Sequence, residues 1–147
     1  MNRFEQYSTH LKRRITDESL EDKEDFDALA LEVFGFQYEY NEVYRAFCDH
    51  IQRKPGTIRR IEHIPFLPIS TFRHRLIQTG NWRPEEIFES SGTSSAMPSR
   101  QAIRNRDWYH RCANICFEHR FGPVKYWCFL ALLPSYLERS NASLVHM

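Results

Sequence analysis

The hydrophobic period of this chain changes partway along, and that change limits the folds open to it more than any other feature. From Asp25 to Phe34, the residues Phe26, Leu29, Ala30, Val33 and Phe34 fall on one stripe of helical period, and Gly35 follows where a left-handed residue would close the helix. Asn41 suits the N-cap of a second helix with Val43, Tyr44, Phe47 and Ile51 along one side, stopped by "RKPGT" at 53–57. Pro65 and Pro68 then impose an extended approach to one short helix beginning near Ser70, because proline fixes its own φ and removes a donor. Beyond that point the apolar pieces are short and extended: Leu76 to Gln78, Glu86 to Glu89 and Gln101 to Arg104. The last two flank a serine cluster and are expected to pair antiparallel with the cluster as their loop. A helix capped by Asn105 or Asp107 and closed by Gly122 comes next. The run "YWCFLALL", Tyr126 to Leu133, does not alternate and is read as a strand buried on both faces. The pattern predicts the α/β class: N-terminal helices over about residues 1–60, then an α/β part with a partial sheet over about 61–147.

Composition narrows the function classes. The 147 residues suit one domain, and an apolar content of 41% with 14% aromatic residues is enough to fill a core. Twenty basic and nineteen acidic residues give a net charge of +1, far from the balance of a general nucleic-acid binder. The charge is divided unevenly: residues 1–60 hold ten basic and twelve acidic residues, residues 61–147 ten and seven. The second part therefore suits an anionic ligand. No uninterrupted apolar stretch follows the basic residues of the first fourteen, which argues against a secretory signal, and an eight-residue apolar run is too short to span a bilayer as a helix. With four unevenly spaced cysteines, the thiols are read as reduced and the protein as cytoplasmic.

The cluster itself, "SSGTSSAMPSR" from Ser90 to Arg100, concentrates hydroxyls around one of only five glycines. Backbone N–H groups and hydroxyls converging on a concave loop hydrogen-bond phosphate oxygens without losing a proton, and glycine permits close approach. Ser90, Ser91, Gly92, Thr93, Ser94 and Ser95 supply such groups, and Arg100 adds a positive charge. The Walker A pattern does not fit, since neither a second glycine nor a lysine follows and the next segment is extended. The competing reading is a solvated serine-rich turn.

The loop resembles the signature loop of the adenylate-forming ligase superfamily, which runs between two strands. Within it, "IPFLPIS" at 64–70, "FESSGT" at 88–93 and "LALLPSYLERSNASLV" at 130–145 resemble the N-terminal part of the acyl-protein synthetase (LuxE-like) family of fatty-acid-activating ligases. The resemblance implies ATP-dependent activation of a carboxylate as acyl-adenylate, with ATP and magnesium as cofactors and Ser90 to Ser95 with Arg100 around the phosphates. It also implies a protein acyl acceptor. It assigns the acyl-accepting role to none of Cys48, Cys112, Cys116 or Cys128, because that cysteine lies in the family's C-terminal part. Ser95 stands where the superfamily has its second glycine, which narrows the conformations open to the loop. The resemblance covers the N-terminal part only, so a truncated chain is expected, inactive alone. The alternative is a non-catalytic remnant or interaction subunit that binds a complementing chain.

Three further constellations stand out by residue type and spacing. Cys112, Cys116 and His119 share a helical face, with His110 near in sequence, and zinc accepts such ligands. Yet His110 points away on an ideal helix, and the cysteines beside Ile115 are more economically read as small apolar residues against a sheet, so no metal is assigned. Arg100, Arg104, Arg106 and Arg111 with Trp108 and Tyr109 match a single-strand binding pattern, but the near-neutral charge favours a solvated arginine face with the aromatics in the core, and no nucleic-acid partner is expected. "LLPSYLERSNASL" offers Ser135, Tyr136, Glu138 and Arg139 where α/β sheets commonly bind ligands, and reads equally as a loop leading to a helix capped by Ser140 or Asn141.

Overall fold

The computed structural model describes residues 2–16, 23–90 and 97–130. They form two compact units: one within Met1–Pro68 and Gln78–Asn81, the other within Ile69–Ile77 and Trp82–Met147. Five helices and a two-stranded antiparallel sheet among the described residues give the mixed α/β class that the period change predicts.

The first unit is helical. Helix α1 spans Arg3–Thr16, α2 Lys23–Tyr40 and α3 Glu42–His50. Helix α2 runs through Gly35 and does not end there, which corrects the expected stop. The reason lies in the aromatic residues that follow. Phe36 stacks on Tyr7 and Phe4 of α1 with ring centroids 4.0 and 5.3 Å apart, Tyr40 meets Phe4 at 5.6 Å, and the Tyr38 hydroxyl donates to Asp49 Oδ1 at 2.8 Å. Each such contact is made from the helical continuation, and together they outweigh the ~1 kcal/mol that a mid-helix glycine costs. Asn41 separates α2 from α3 as expected: its Oδ1 accepts from the Tyr44 N–H at 3.0 Å. Phe34, Tyr44, Cys48 and Ile58 form the buried core, with Leu31, Phe47, Ile64 and Leu67 packed around it. Ile51, expected on the packed side of α3, is 38% exposed at the cap, where the chain already turns away. The extended Ile64–Pro65 stretch is tied down by the Tyr44 hydroxyl, which donates to the Pro65 carbonyl at 2.6 Å. Gly80 closes the unit at φ +88°, its N–H donating to the Tyr40 carbonyl at 2.8 Å and its open side facing the Phe4 ring.

The second unit holds the hairpin. Helix α4, Thr71–His74, begins after Ser70 as its prolines suggest. Strands β1, Glu86–Glu89, and β2, Arg100–Ile103, pair antiparallel, with Glu86 opposite Ile103 and Glu89 opposite Arg100. β2 starts one residue earlier than expected because Arg100 pairs with Glu89. Leu76 to Gln78 is not a strand: only Ile77 bridges, in parallel, to Gln101. Helix α5, Arg106–Phe121, is capped by Asn105, whose Oδ1 accepts from the Trp108 N–H at 2.6 Å, and ends at Gly122 with φ +80°. It packs on the hairpin through Tyr109, whose ring meets the buried Phe88 edge-on at 5.1 Å. The expected strand at Tyr126 to Leu133 is corrected over its described part. Val124–Tyr126 forms a single 3-10 turn, and Trp127 to Leu130 pairs with no described strand. Instead of a ladder, the run meets α5 through edge-on and tilted ring contacts: Phe117 lies 5.8 and 5.3 Å from Trp127 and Phe129. Ala131 to Leu133 lie outside the described residues.

Candidate functional site

The hairpin brings the two ends of the serine cluster together. The Ser90 N–H donates to the Ser99 carbonyl at 3.0 Å, as an antiparallel ladder would continue. The reciprocal donor breaks the pattern: the Ser99 N–H goes to the Ser90 side-chain Oγ, also at 3.0 Å. The ladder therefore ends in a side-chain bond at the neck of the loop. Of the residues expected to hold phosphate, Ser90 and Arg100 stand at this neck, while Ser91, Gly92, Thr93, Ser94 and Ser95 lie outside the described residues.

A cavity of about 230 Å³ opens beside the neck, lined by Ile69, Phe72, Phe88 and Gln101 together with Glu89, Ser90, Ser99 and Arg100. Its polar rim carries hydroxyl, amide and guanidinium donors and one carboxylate; its floor is aliphatic and aromatic. The volume is below the roughly 300–1,000 Å³ of a pocket for a whole drug-sized ligand, so it suits part of one, such as a phosphate group. The donors match phosphate oxygens, and Glu89 supplies the kind of hard oxygen a magnesium ion takes. The residues present thus fit a magnesium-phosphate group. Sequence reasoning missed Ile69, Phe72, Ser99 and Gln101; of these, Phe72 stands on α4, which lies against β2. Ser99 alone had a legible signal, as the last hydroxyl before Arg100.

The neck is held from the other end as well. The Glu85 Oε2 accepts from the Arg106 N–H at 2.9 Å and Glu86 faces the Arg106 guanidinium at 3.7 Å, so the first turn of α5 is clamped to the base of β1. The arginine face disperses accordingly. Arg111 lies over the Trp108 ring at 5.9 Å, Tyr109 packs on Phe88, and Arg100 is exposed at the neck.

The cysteines divide by environment. Cys48 is fully buried, and burial pushes its thiol above the ordinary range despite a hydrogen bond with Tyr44, which makes it a poor nucleophile. Cys112 is half-buried, whereas Cys116 is exposed, so the expected packing of both against a sheet fails for Cys116: it sits on the outer side of α5. Among the described residues, no three His, Cys, Asp or Glu side chains converge as a metal site would require. Ser135, Tyr136, Glu138, Arg139 and the caps proposed at Ser140 and Asn141 lie outside the described residues. No helix among the described residues is long and apolar enough to cross a membrane.

Comparison with known proteins bears on this hairpin. The long-chain-fatty-acid–luciferin-component ligase of Aliivibrio fischeri is 36% identical over 74 residues, which is 50% of this chain and 19% of the relative. The matched segment thus spans about a fifth of that relative's length. No solved structure matches the chain. The family described as acyl-protein synthetase, LuxE, matches residues 11–115, a stretch that runs from the end of α1 through both strands of the hairpin and into α5. By that match the chain belongs to the LuxE acyl-protein synthetase family.

Proposed function

We propose that this chain supplies the phosphate-holding hairpin of an acyl-protein synthetase-type ligase, which activates a long-chain fatty acid or similar carboxylate with ATP and passes the acyl group to an acceptor protein. The observation that carries the reading is the hairpin neck: Ser90 and Arg100 are brought opposite the ends of a hydroxyl-rich segment, beside a cavity of phosphate size, in a chain of this family.

The chemistry asked of these residues is positional. Arg100 offers a guanidinium whose fork matches two phosphate oxygens, and the hydroxyl of Ser99 offers a donor that needs no change of protonation. Thr93 and its neighbours complete the donor set in this reading. Bound magnesium supplies charge compensation for the phosphates, and Glu89 is the residue of the rim that would hold it. Ile69 and Phe72 add an apolar side to the same cavity. Holding of this kind raises rate by orientation, which accounts for ~7–11 kcal/mol of barrier when every reacting group is fixed.

Magnesium-ATP should raise the melting temperature of the chain, because a ligand bound only by the folded state stabilises it by mass action. Thr93→Ala should reduce the shift. Absence of any shift at millimolar ATP would refute the reading for this chain. Carboxylate-dependent exchange of labelled pyrophosphate into ATP, run with and without a separately supplied C-terminal part of a relative, then tests the acyl-adenylate step; exchange on complementation is the expected result.

A second reading, an interaction subunit that pairs with a complementing chain, is favoured by one feature. Trp127, Phe129 and Leu130 are 50, 62 and 92% exposed in succession, an apolar surface of the sort that partners cover. Cofractionation of such a pair without ATP dependence would support it.

A further inference from the structure

The hydroxyl of Ser90 is engaged by backbone across the neck. Its oxygen already accepts the Ser99 N–H at 3.0 Å, while its own N–H donates to the Ser99 carbonyl at the same distance. Two bonds between the same two residues close the neck as a staple. The residue fixed on the far side, Ser99, is joined by one peptide bond to Arg100, and both line the cavity with Ser90. Freedom at the Ser99 N–H would become freedom of the Arg100 backbone, because β2 begins only at Arg100 and the Ser99 N–H is held by a side chain and not by the backbone ladder.

We propose that Ser90 is a positioning residue: its side-chain oxygen locks the Ser99–Arg100 backbone, and so sets the direction from which the Arg100 guanidinium meets phosphate. This rests on the phosphate reading above and assigns Ser90 a role distinct from that of a direct ligand. A methyl side chain at position 90 removes the acceptor and leaves the Ser90 N–H bond intact, so the neck stays paired but loosens at one point. Threonine keeps an oxygen at the same branch of the side chain and an extended backbone that suits β-branching.

The test uses the full chain, with magnesium-ATP and inorganic tripolyphosphate as probes and NMR amide exchange as the structural readout. In Ser90→Ala, the Ser99 amide should exchange at least several-fold faster than in wild type, while amides of the core helices are unchanged. Tripolyphosphate binding should weaken about fivefold, or about 1 kcal/mol. Ser90→Thr should restore both. Adding Arg100→Ala to Ser90→Ala should cost less than the two single effects combined, because the serine acts through the arginine. An unchanged Ser99 exchange rate in Ser90→Ala overturns the staple. Additive losses, or a faster Ser99 amide with unaltered affinity, overturn the positioning role alone. A wild-type chain that binds neither probe overturns the phosphate reading and the positioning role with it, and the Ser99 exchange rates identify which of the two ideas failed first.

Discussion

Replacement of Asn41 by alanine should destabilise the helical unit more than any other single loss of a polar side chain in it. Asn41 is only 6% exposed, and its side chain makes two contacts: Oδ1 accepts from the Tyr44 N–H at 3.0 Å, and Nδ2 reaches Thr79 Oγ1 at 3.4 Å. Loss of an N-cap acceptor typically costs ~1 kcal/mol, and up to ~2 where the cap is buried. The long Thr79 contact adds little, since at 3.4 Å its geometry is near the limit. The orphaned donor is not a further loss, because the Tyr44 N–H left without a partner is the same event counted from the other side. The expected cost is therefore about 1.5–2 kcal/mol. For a cooperative unit of this size that is a fall in melting temperature on the order of 6–16 °C, at ~4–8 °C per kcal/mol. Urea denaturation followed by far-UV circular dichroism measures it, with the slope unchanged if only stability alters. Asn41→Asp keeps an acceptor at the same place and should recover most of the loss. Equal stability of the alanine and aspartate variants would refute the argument, because it would show that the side-chain oxygen is not what holds the start of α3.

Two glycines should respond with opposite sign. Gly80→Ala places a methyl 2.5 Å from the Phe4 ring at φ +88° and should cost ~2 kcal/mol or more, whereas Gly35→Ala meets nothing within 4 Å in mid-helix and should stabilise by ~0.5–1 kcal/mol, both read as shifts in urea midpoint. Thiol labelling should modify Cys116 and Cys128 rapidly and Cys48 only on unfolding, as followed by mass spectrometry after short exposure to iodoacetamide; early labelling at Cys48 would contradict its burial. The carboxyl of Asp49 is held below its ordinary value by the Tyr38 hydroxyl and then by Lys54 at 3.1 Å. A depressed carboxylate gives stability that is fully present above the unfolded value near ~3.9 and is lost as pH falls through the lower folded value, so Asp49→Asn should flatten the acid limb of stability measured from pH 6 down to 2.

The parts of the fold that a reader of the sequence could foresee are those governed by neighbours in sequence. Asn41 and Asn105 each cap a helix by accepting from the third residue onward, and both were legible because a cap is a local hydrogen bond. Gly122 was legible for the same reason: it ends α5 in a left-handed conformation that L side chains avoid. Gly35 shows where local reading fails. Its own preference argues for a stop, but Phe36 and Tyr40 are held by Phe4 and Tyr7, about thirty residues earlier, and no window around Gly35 contains them. The run from Tyr126 failed for a related reason, since Trp127 and Phe129 meet rings of the preceding helix edge-on or tilted, without any described strand partner.

The candidate site divides along the same line, and the division explains its chemistry. The residue types of the loop could be read directly, because phosphate binding demands donors that keep their protons, and serine, threonine, glycine and arginine are the residues that provide them or make room for them. What could not be read was which hydroxyl holds the neck. Ser90 and Ser91 are adjacent and chemically identical, and only the register Glu89 to Arg100 decides that Ser90 faces Ser99 across the neck. The apolar lining could not be read either, since Ile69 precedes and Phe72 lies within a four-residue helix whose contact with β2 joins segments about thirty residues apart in sequence. The residue types of the loop are thus set by composition, but the staple at its neck is set by a register one residue wide, and a slip of that register would take Ser90 away from Ser99.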